Sequence, residues 1–222
     1  MQHQKEFKLS EISNMDQTPI AFEFLDQKTY NSKGAKTIWV RSARSGWEKR
    51  QATLQIVLHA DGIQRCKPLL IFKATGDKTG KPVDKKIHAE WKLYDQRVVV
   101  QFNKKAYSNT DSMIQWIRHQ FAYSSASVFR NWEAKHEPRM LSLDVFKGQL
   151  NNKVLAEFKR INCTCSFIPG GTTGFIQVCD VGINKVLKKR ISDLADLHYD
   201  AHEQQWIENK YSVRQRRVML VN

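Results

Sequence analysis

Apolar and polar positions alternate first over Ala52 to Phe72, where Leu54, Ile56 and Leu58 are interleaved with Thr53, Gln55 and Val57. A period of two is that of a strand with one buried face. Asp61-Gly62 then reads as the type I′ turn of a hairpin, and the return strand, Ile63 to Phe72, carries Pro68, which suggests an edge or a bulge. Upstream, Thr37-Ile38-Trp39-Val40 reads as a short strand. Glu11 to Phe22 also has strand character, with Pro19 near its middle. Residues 74–97 hold two glycines and a proline and no period, which predicts a loop, and Val98 to Phe102 predicts a buried strand.

The period then changes. Ser108-x-x-Asp111 resembles a capping box, and Met113, Ile117 and Phe121 recur every four residues, with Ile114 and Trp116 beside them, as on a helix. From residue 138 strands and helices alternate. Arg139 to Asp144 is a strand, and Gln149 to Ile161 a helix with Leu150, Val154, Phe158 and Ile161 on one face. Cys163 to Ile168 is a strand, broken by Pro169-Gly170-Gly171. Gly182 to Leu197 is a helix with Ile183, Val186, Leu187, Ile191 and Leu194 toward a core. Successive β-α-β-α units imply parallel strands. The expectation is an α/β fold with a mixed central sheet, antiparallel strands early and parallel strands later, flanked by helices. No Pro/Ser-rich linker divides the 222 residues, which predicts a single domain over 1–222.

Composition narrows the function. Lys and Arg number 36 against 22 Asp and Glu, a net charge of +14, which favours anionic partners such as phosphate backbones. No run of 18 apolar residues is present, so no membrane helix is expected, and Met1 to Glu6 has no apolar core of a signal peptide. The four cysteines, Cys66, Cys163, Cys165 and Cys179, are expected as free thiols. Cys163-x-Cys165 lacks the second pair of a zinc site. Four of the seven histidines, His59, His88, His119 and His136, have no ligand spacing with each other or with the cysteines and read as structural, as do the six tryptophans.

Three aspartates stand where chemistry concentrates. Asp144 ends the apolar strand Met140-Leu143, the kind of position where α/β sheets place their sites, and is either a helix cap or an active-site carboxylate. Asp16 lies within an apolar stretch, where an ionised group needs a partner or a cation; alternatively it makes an Asx turn before Thr18-Pro19. Asp180 precedes the last predicted helix, where a cap is the alternative role. Together, three carboxylates from separate elements suit two hard Mg²⁺ or Mn²⁺ ions acting on phosphodiesters. On the helix after Asp180, Lys185, Lys188, Lys189 and Arg190 offer either phosphate contacts or a solvated face. The run Arg214, Arg216, Arg217 offers phosphate contact or nuclear import, and Lys73 to Lys86 a basic loop over DNA or a surface insertion.

The order and spacing of several segments resemble the DDE superfamily endonuclease domain of pogo/mariner-type transposases, also found in jerky-like and centromere-protein-B-like proteins. Asn14-Met15-Asp16-Gln17-Thr18-Pro19 is similar to the family's first-aspartate motif. Gly34 to Arg41, Glu48 through Gly62, and Pro68 to Lys73 match its early strands. Leu141-Ser142-Leu143-Asp144 is similar to the second-aspartate strand. Ile168-Pro169, Thr172-Thr173 and Gln177-Val178-Cys179-Asp180-Val181-Gly182 are similar to the segment carrying the third acid. Gln17 stands where the family commonly has Glu, Val145 to Gly148 replaces its usual turn, and Val178-Cys179 replaces Pro-Leu. The resemblance implies an RNase H-like fold and two-metal cleavage and strand transfer of DNA, with Asp16, Asp144 and Asp180 as catalytic metal ligands for two Mg²⁺ or Mn²⁺ ions. It implies DNA as partner, contacted by Lys185, Lys188, Lys189 and Arg190, a nuclear location and at least two cooperating subunits, with no membrane and no small-molecule cofactor. The family's helix-turn-helix region is not expected ahead of Asp16, and the C-terminus is expected to be truncated. The alternative is a domesticated nuclear DNA-binding protein that no longer cuts.

Overall fold

The computed structural model describes residues 6–22, 51–124, 137–144, 151–202, 204 and 211–222. Six strands form one sheet in the order β4-β3-β2-β1-β5-β6: β1 (Ile12–Ala21), β2 (Gln51–His59), β3 (Leu69–Lys73), β4 (Val99–Asn103), β5 (Arg139–Asp144) and β6 (Cys163–Ile168). The helices are α1 (Lys85–Glu90), α2 (Thr110–His119), α3 (Asn152–Arg160), α4 (Thr173–Ile176), α5 (Asn184–Ala201) and α6 (Val213–Val221). This is the expected mixed α/β architecture of RNase H-like type. β1 pairs antiparallel with β2 and parallel with β5, and β5 pairs parallel with β6. One pairing departs from the early/late division: β3 and β4 run parallel, because the chain between them crosses over through α1.

Strand alternation sends side chains to two cores. Met15, Val57, Leu69, Ile71, Leu141 and Leu143 meet α2 and α3 through Met113, Trp116, Ile117, Val154 and Phe158. Ile20, Ala52, Leu54, Ile56, Leu70 and Phe72 face the other way, where Leu187 and Ile191 of α5 and Val213, Val218 and Val221 of α6 pack. Asn14, Asp16, Ser142 and Asp144 share the parity of this second face, so the chemistry looks toward α5. Pro19 is accommodated in the centre of the sheet because β5 pairs only with Ile12 to Met15, leaving the later part of β1 without a β5 partner.

Several expectations are corrected. The β2–β3 connection is no two-residue turn. β2 ends at His59 and β3 begins at Leu69, with Pro68 just outside it, and in the intervening segment only Gly62 has a positive φ, of 76°; a type I′ turn needs two such residues. The capping box of α2 is one residue later than expected: Asn109 accepts from the Ser112 N–H at 2.9 Å and Ser112 Oγ accepts from the Asn109 N–H at 2.7 Å. Part of 74–97 is helical, since Asp84 caps α1. Gly76, predicted as loop, is required there, because a Cβ would lie 1.9 Å from the Phe102 carbonyl oxygen. The strand over Thr37 to Val40, the Val145 to Gly148 turn, Leu150 and His136 lie outside the described residues.

Two further corrections bear on function. Val186 and Leu194, expected in the core, are exposed, as is Ile183, whereas Asn184, Ala195 and Tyr199 are buried. Arg216 and Arg217, read as phosphate or import contacts, are buried in α6. Arg217 grips the Glu90 carboxylate of α1 with Nε at 2.5 Å and Nη2 at 2.8 Å. Arg214 alone of the three is exposed.

Candidate active site

Asp16 and Asp144 come together through the sheet. The parallel β1–β5 register runs Ile12↔Met140 to Met15↔Leu143, and the two aspartates are the next residues on each strand. Both are half-buried and line one cleft of about 250 Å³ with Gln17, Thr18, Thr53 and Tyr107. Gln17, where the family commonly has an acid, donates its amide to Gln55 Oε1 at 2.6 Å.

Asp180 arrives on a different element. Pro169 and the glycines end β6, and Gly171 adopts φ +84°, a conformation that favours glycine. The chain then returns across the second face, where a buried amide network fixes it to β1. Asn14 Nδ2 donates to Gln177 Oε1 at 3.0 Å, Gln177 Nε2 donates to the Met15 carbonyl at 2.9 Å, and the Cys179 N–H donates to Asn14 Oδ1 at 3.3 Å. Gln177 is wholly buried. Beyond this clamp, Cys179–Ile183 form a π-helical turn in which the Asn184 N–H reaches back to the Cys179 carbonyl. Such turns recur at functional sites. Here it turns Asn184 inward, onto the same side as Asp180.

The two NH₂ hydrogens of Asn184 join the first and third acids. Nδ2 donates to Asp16 Oδ2 at 2.5 Å and to Asp180 Oδ1 at 2.8 Å. Burial raises the Asp16 carboxyl above its ordinary value, and the neighbouring Asp180 charge adds to this, while the Asn184 amide opposes it. The same negative field, on top of burial, pushes the Cys179 thiol up to about 12.

Asp16 is therefore the common member: it shares the cleft with Asp144 and an amide with Asp180. Among the described residues, no three His, Cys, Asp or Glu side chains converge closely enough to hold a metal ion. The acids supply carboxylate oxygen, the donor type a hard divalent cation takes, and the Asn184 NH₂ group, a hydrogen-bond donor, occupies the place between two of them. Of the predicted phosphate contacts, Lys185 and Arg190 are exposed and Lys188 is half-buried, whereas the exposed Lys189 is ion-paired to Asp193.

Sequence reasoning missed the roles of Asn14, Gln177 and Asn184. The signal was present for Asn184, which lies four residues after Asp180 and so on one helical face with it.

The mixed sheet of RNase H-like type thus carries Asp16 and Asp144 on neighbouring parallel strands and Asp180 on a later helical segment. A model of the DDE superfamily endonuclease family matches residues 49–216, and the chain belongs to that family. The matched segment contains Asp144 and Asp180; Asp16 precedes it and joins through β1. The chain is 24% identical over 186 residues to the human "Pogo transposable element with KRAB domain", covering 84% of this chain and 27% of that protein, and the mouse protein of the same name matches to the same extent. The chain thus spans about a quarter of the length of these relatives. No solved structure matches it.

Proposed function

We propose that the chain is a transposase-type DNA endonuclease domain that cuts and transfers phosphodiester strands, with Asp16, Asp144 and Asp180 as the residues that hold two Mg²⁺ or Mn²⁺ ions. The observation that supports it best is the joining of Asp16 to Asp180 through Asn184 beside a cleft that Asp16 shares with Asp144. When bound, such ions supply an activated water or 3′-hydroxyl and stabilise the leaving oxygen. The chain's own part is to bring three carboxylates from β1, β5 and the π-helical turn to one face of the sheet, and to aim Lys185, Lys188, Lys189 and Arg190 at the DNA backbone. Lys189 exchanges Asp193 for phosphate in this reading, at small cost, because exposed ion pairs contribute little. The activity belongs in the nucleus, on DNA, with at least two subunits when paired ends are joined.

The test is nicking of supercoiled plasmid with Mn²⁺ by wild type, Asp16→Ala, Asp144→Asn and Asp180→Ala, alongside Mn²⁺ calorimetry. Nicking and Mn²⁺ heat in wild type, with nicking lost in all three variants, is the expected result. DNA binding with neither Mn²⁺ heat nor nicking in wild type refutes the reading in favour of a DNA-binding protein that does not cut. Affinity for duplex DNA should fall steeply with salt, and alanine at Lys185 or Lys188 should reduce that slope by about one.

A further inference from the structure

Asn184 is 5% exposed, and its side chain is bonded on one end only. The NH₂ group faces the two carboxylates, while Oδ1 is buried with no hydrogen-bond partner among the described residues. Leaving a buried amide oxygen without a partner is unfavourable. The cost has a reason if the amide serves two states. We propose that Asn184 is a further cation ligand of the site: with no cation, its NH₂ group holds Asp16 and Asp180 together; with a divalent cation, the amide turns about Cβ–Cγ and presents Oδ1 to the ion that Asp16 and Asp180 share.

Three features carry this. The amide already sits between the two acids. Its two ends are nearly isosteric, so a half-turn exchanges donor for acceptor without repacking the surroundings. A carbonyl oxygen is a normal ligand for hard cations. The inference rests on the reading of Asp16 and Asp180 as metal ligands, and it differs from a purely structural clamp in one outcome. A clamp competes with the cation for the carboxylates, so its removal leaves cation binding unchanged or tightens it. A ligand contributes to binding, so its removal weakens it.

The experiment is calorimetric Mn²⁺ titration of wild type, Asn184→Ala and Asn184→Asp, with thermal melts in EDTA to check folding. Asn184→Ala should bind Mn²⁺ about tenfold or more weakly. Asn184→Asp, which keeps an oxygen at the same place, should bind at least as tightly as wild type, yet melt at a lower temperature in EDTA because three carboxylates then face one another. Because Asn184→Asp retains the side-chain volume, it keeps the test decisive if Asn184→Ala melts before the titration temperature; Asn184→Leu, of similar volume without the oxygen, then takes the place of the alanine variant. Mn²⁺ binding by Asn184→Ala or Asn184→Leu as tight as wild type overturns the inference while leaving the reading of the acids intact. Absence of Mn²⁺ binding in wild type itself overturns both.

Discussion

Removing the Arg217 guanidinium should unfold the protein more readily without touching its affinity for DNA. Glu90 is 1% exposed and Arg217 6%, so both ends of this ion pair are out of water. The pair is bidentate, the Tyr94 hydroxyl also donates to Glu90, and the guanidinium lies 5.7 Å from the Phe102 ring centroid. In Arg217→Ala the carboxylate stays buried with only the tyrosine hydroxyl left, the case in which breaking a buried pair costs about 3–5 kcal/mol. For a chain of this size each kcal/mol lowers the melting temperature by roughly 2–4 °C, so the loss should be about 10 °C. Replacing both partners, Glu90→Leu with Arg217→Met, removes the stranded charge and should recover most of it. Circular-dichroism melts measure the stability, and fluorescence anisotropy with duplex DNA at two salt concentrations measures the affinity. An Arg217→Ala protein that melts like wild type but binds DNA with a shallower salt dependence refutes this reasoning and returns Arg217 to the role its sequence suggested.

Burial, followed by the charge of Arg65, depresses the His59 imidazole to about 4. Below the ordinary value near 6.5 the unfolded chain takes up a proton that the folded chain refuses until about pH 4, so stability should fall across that window by about 2 kcal/mol, allowing for partial solvent screening. Urea denaturation between pH 7 and 4 should show this fall in wild type and a flatter profile in His59→Gln; identical profiles would exclude His59 as the cause. Gln177→Leu should cost about 1–3 kcal/mol, since it takes one of two acceptors from the Asn14 NH₂ group, leaving it the Ser142 carbonyl, and a donor from the Met15 carbonyl, and it should also weaken Mn²⁺ binding by releasing the Asp180 segment from β1. Denaturation without a change in Mn²⁺ affinity would reduce the clamp to a stability device. Gly76→Ala should destabilise the edge beside β4, where its Cβ meets the Phe102 carbonyl, and a denaturation midpoint equal to wild type would contradict that geometry.

The strands were legible where one face is more buried than the other, as in the alternating burial along Arg139–Asp144. Arg139–Asp144 and Cys163–Ile168 begin and end where the pattern places them. The turn between β2 and β3 was not, because Asp61-Gly62 satisfies the composition of a tight hairpin while the pairing starts only at Gln55↔Leu69. The inward face of α5 was read in part: Leu187 and Ile191 pack on the core as expected, whereas Ile183, Val186 and Leu194 are exposed and Asn184, Ala195 and Tyr199 are buried, because a period of apolar residues gives no sign that a polar residue such as Asn184 takes an inward position. Arg217 was misread because its partner is 127 residues away, and a local run of basic residues carries no trace of that.

The acids themselves stood out because each is a charge at the end of, or inside, an apolar run, but what binds them to one another is amide, and amides escaped notice for a physical reason. Apolar periodicity measures only what burial favours. A buried Asn or Gln is what burial opposes, by several kcal/mol, unless every polar atom finds a partner. Asn14 within Ile12 to Met15, Gln177 beside Cys179 and Asn184 at the head of α5 are therefore costly choices, tolerated only where structure supplies the partners. For Asn14 and Gln177 those partners are each other and the β1 and β5 carbonyls; for Asn184 they are two carboxylates, with one oxygen left over. Reading buried amides as demands for partners, alongside apolar residues as demands for burial, would have marked residues 14 and 177 as needing partners and pointed from 184 back to 180. It would not have located Asp16 as the second partner of Asn184, since the two are 168 residues apart and only the sheet brings them together.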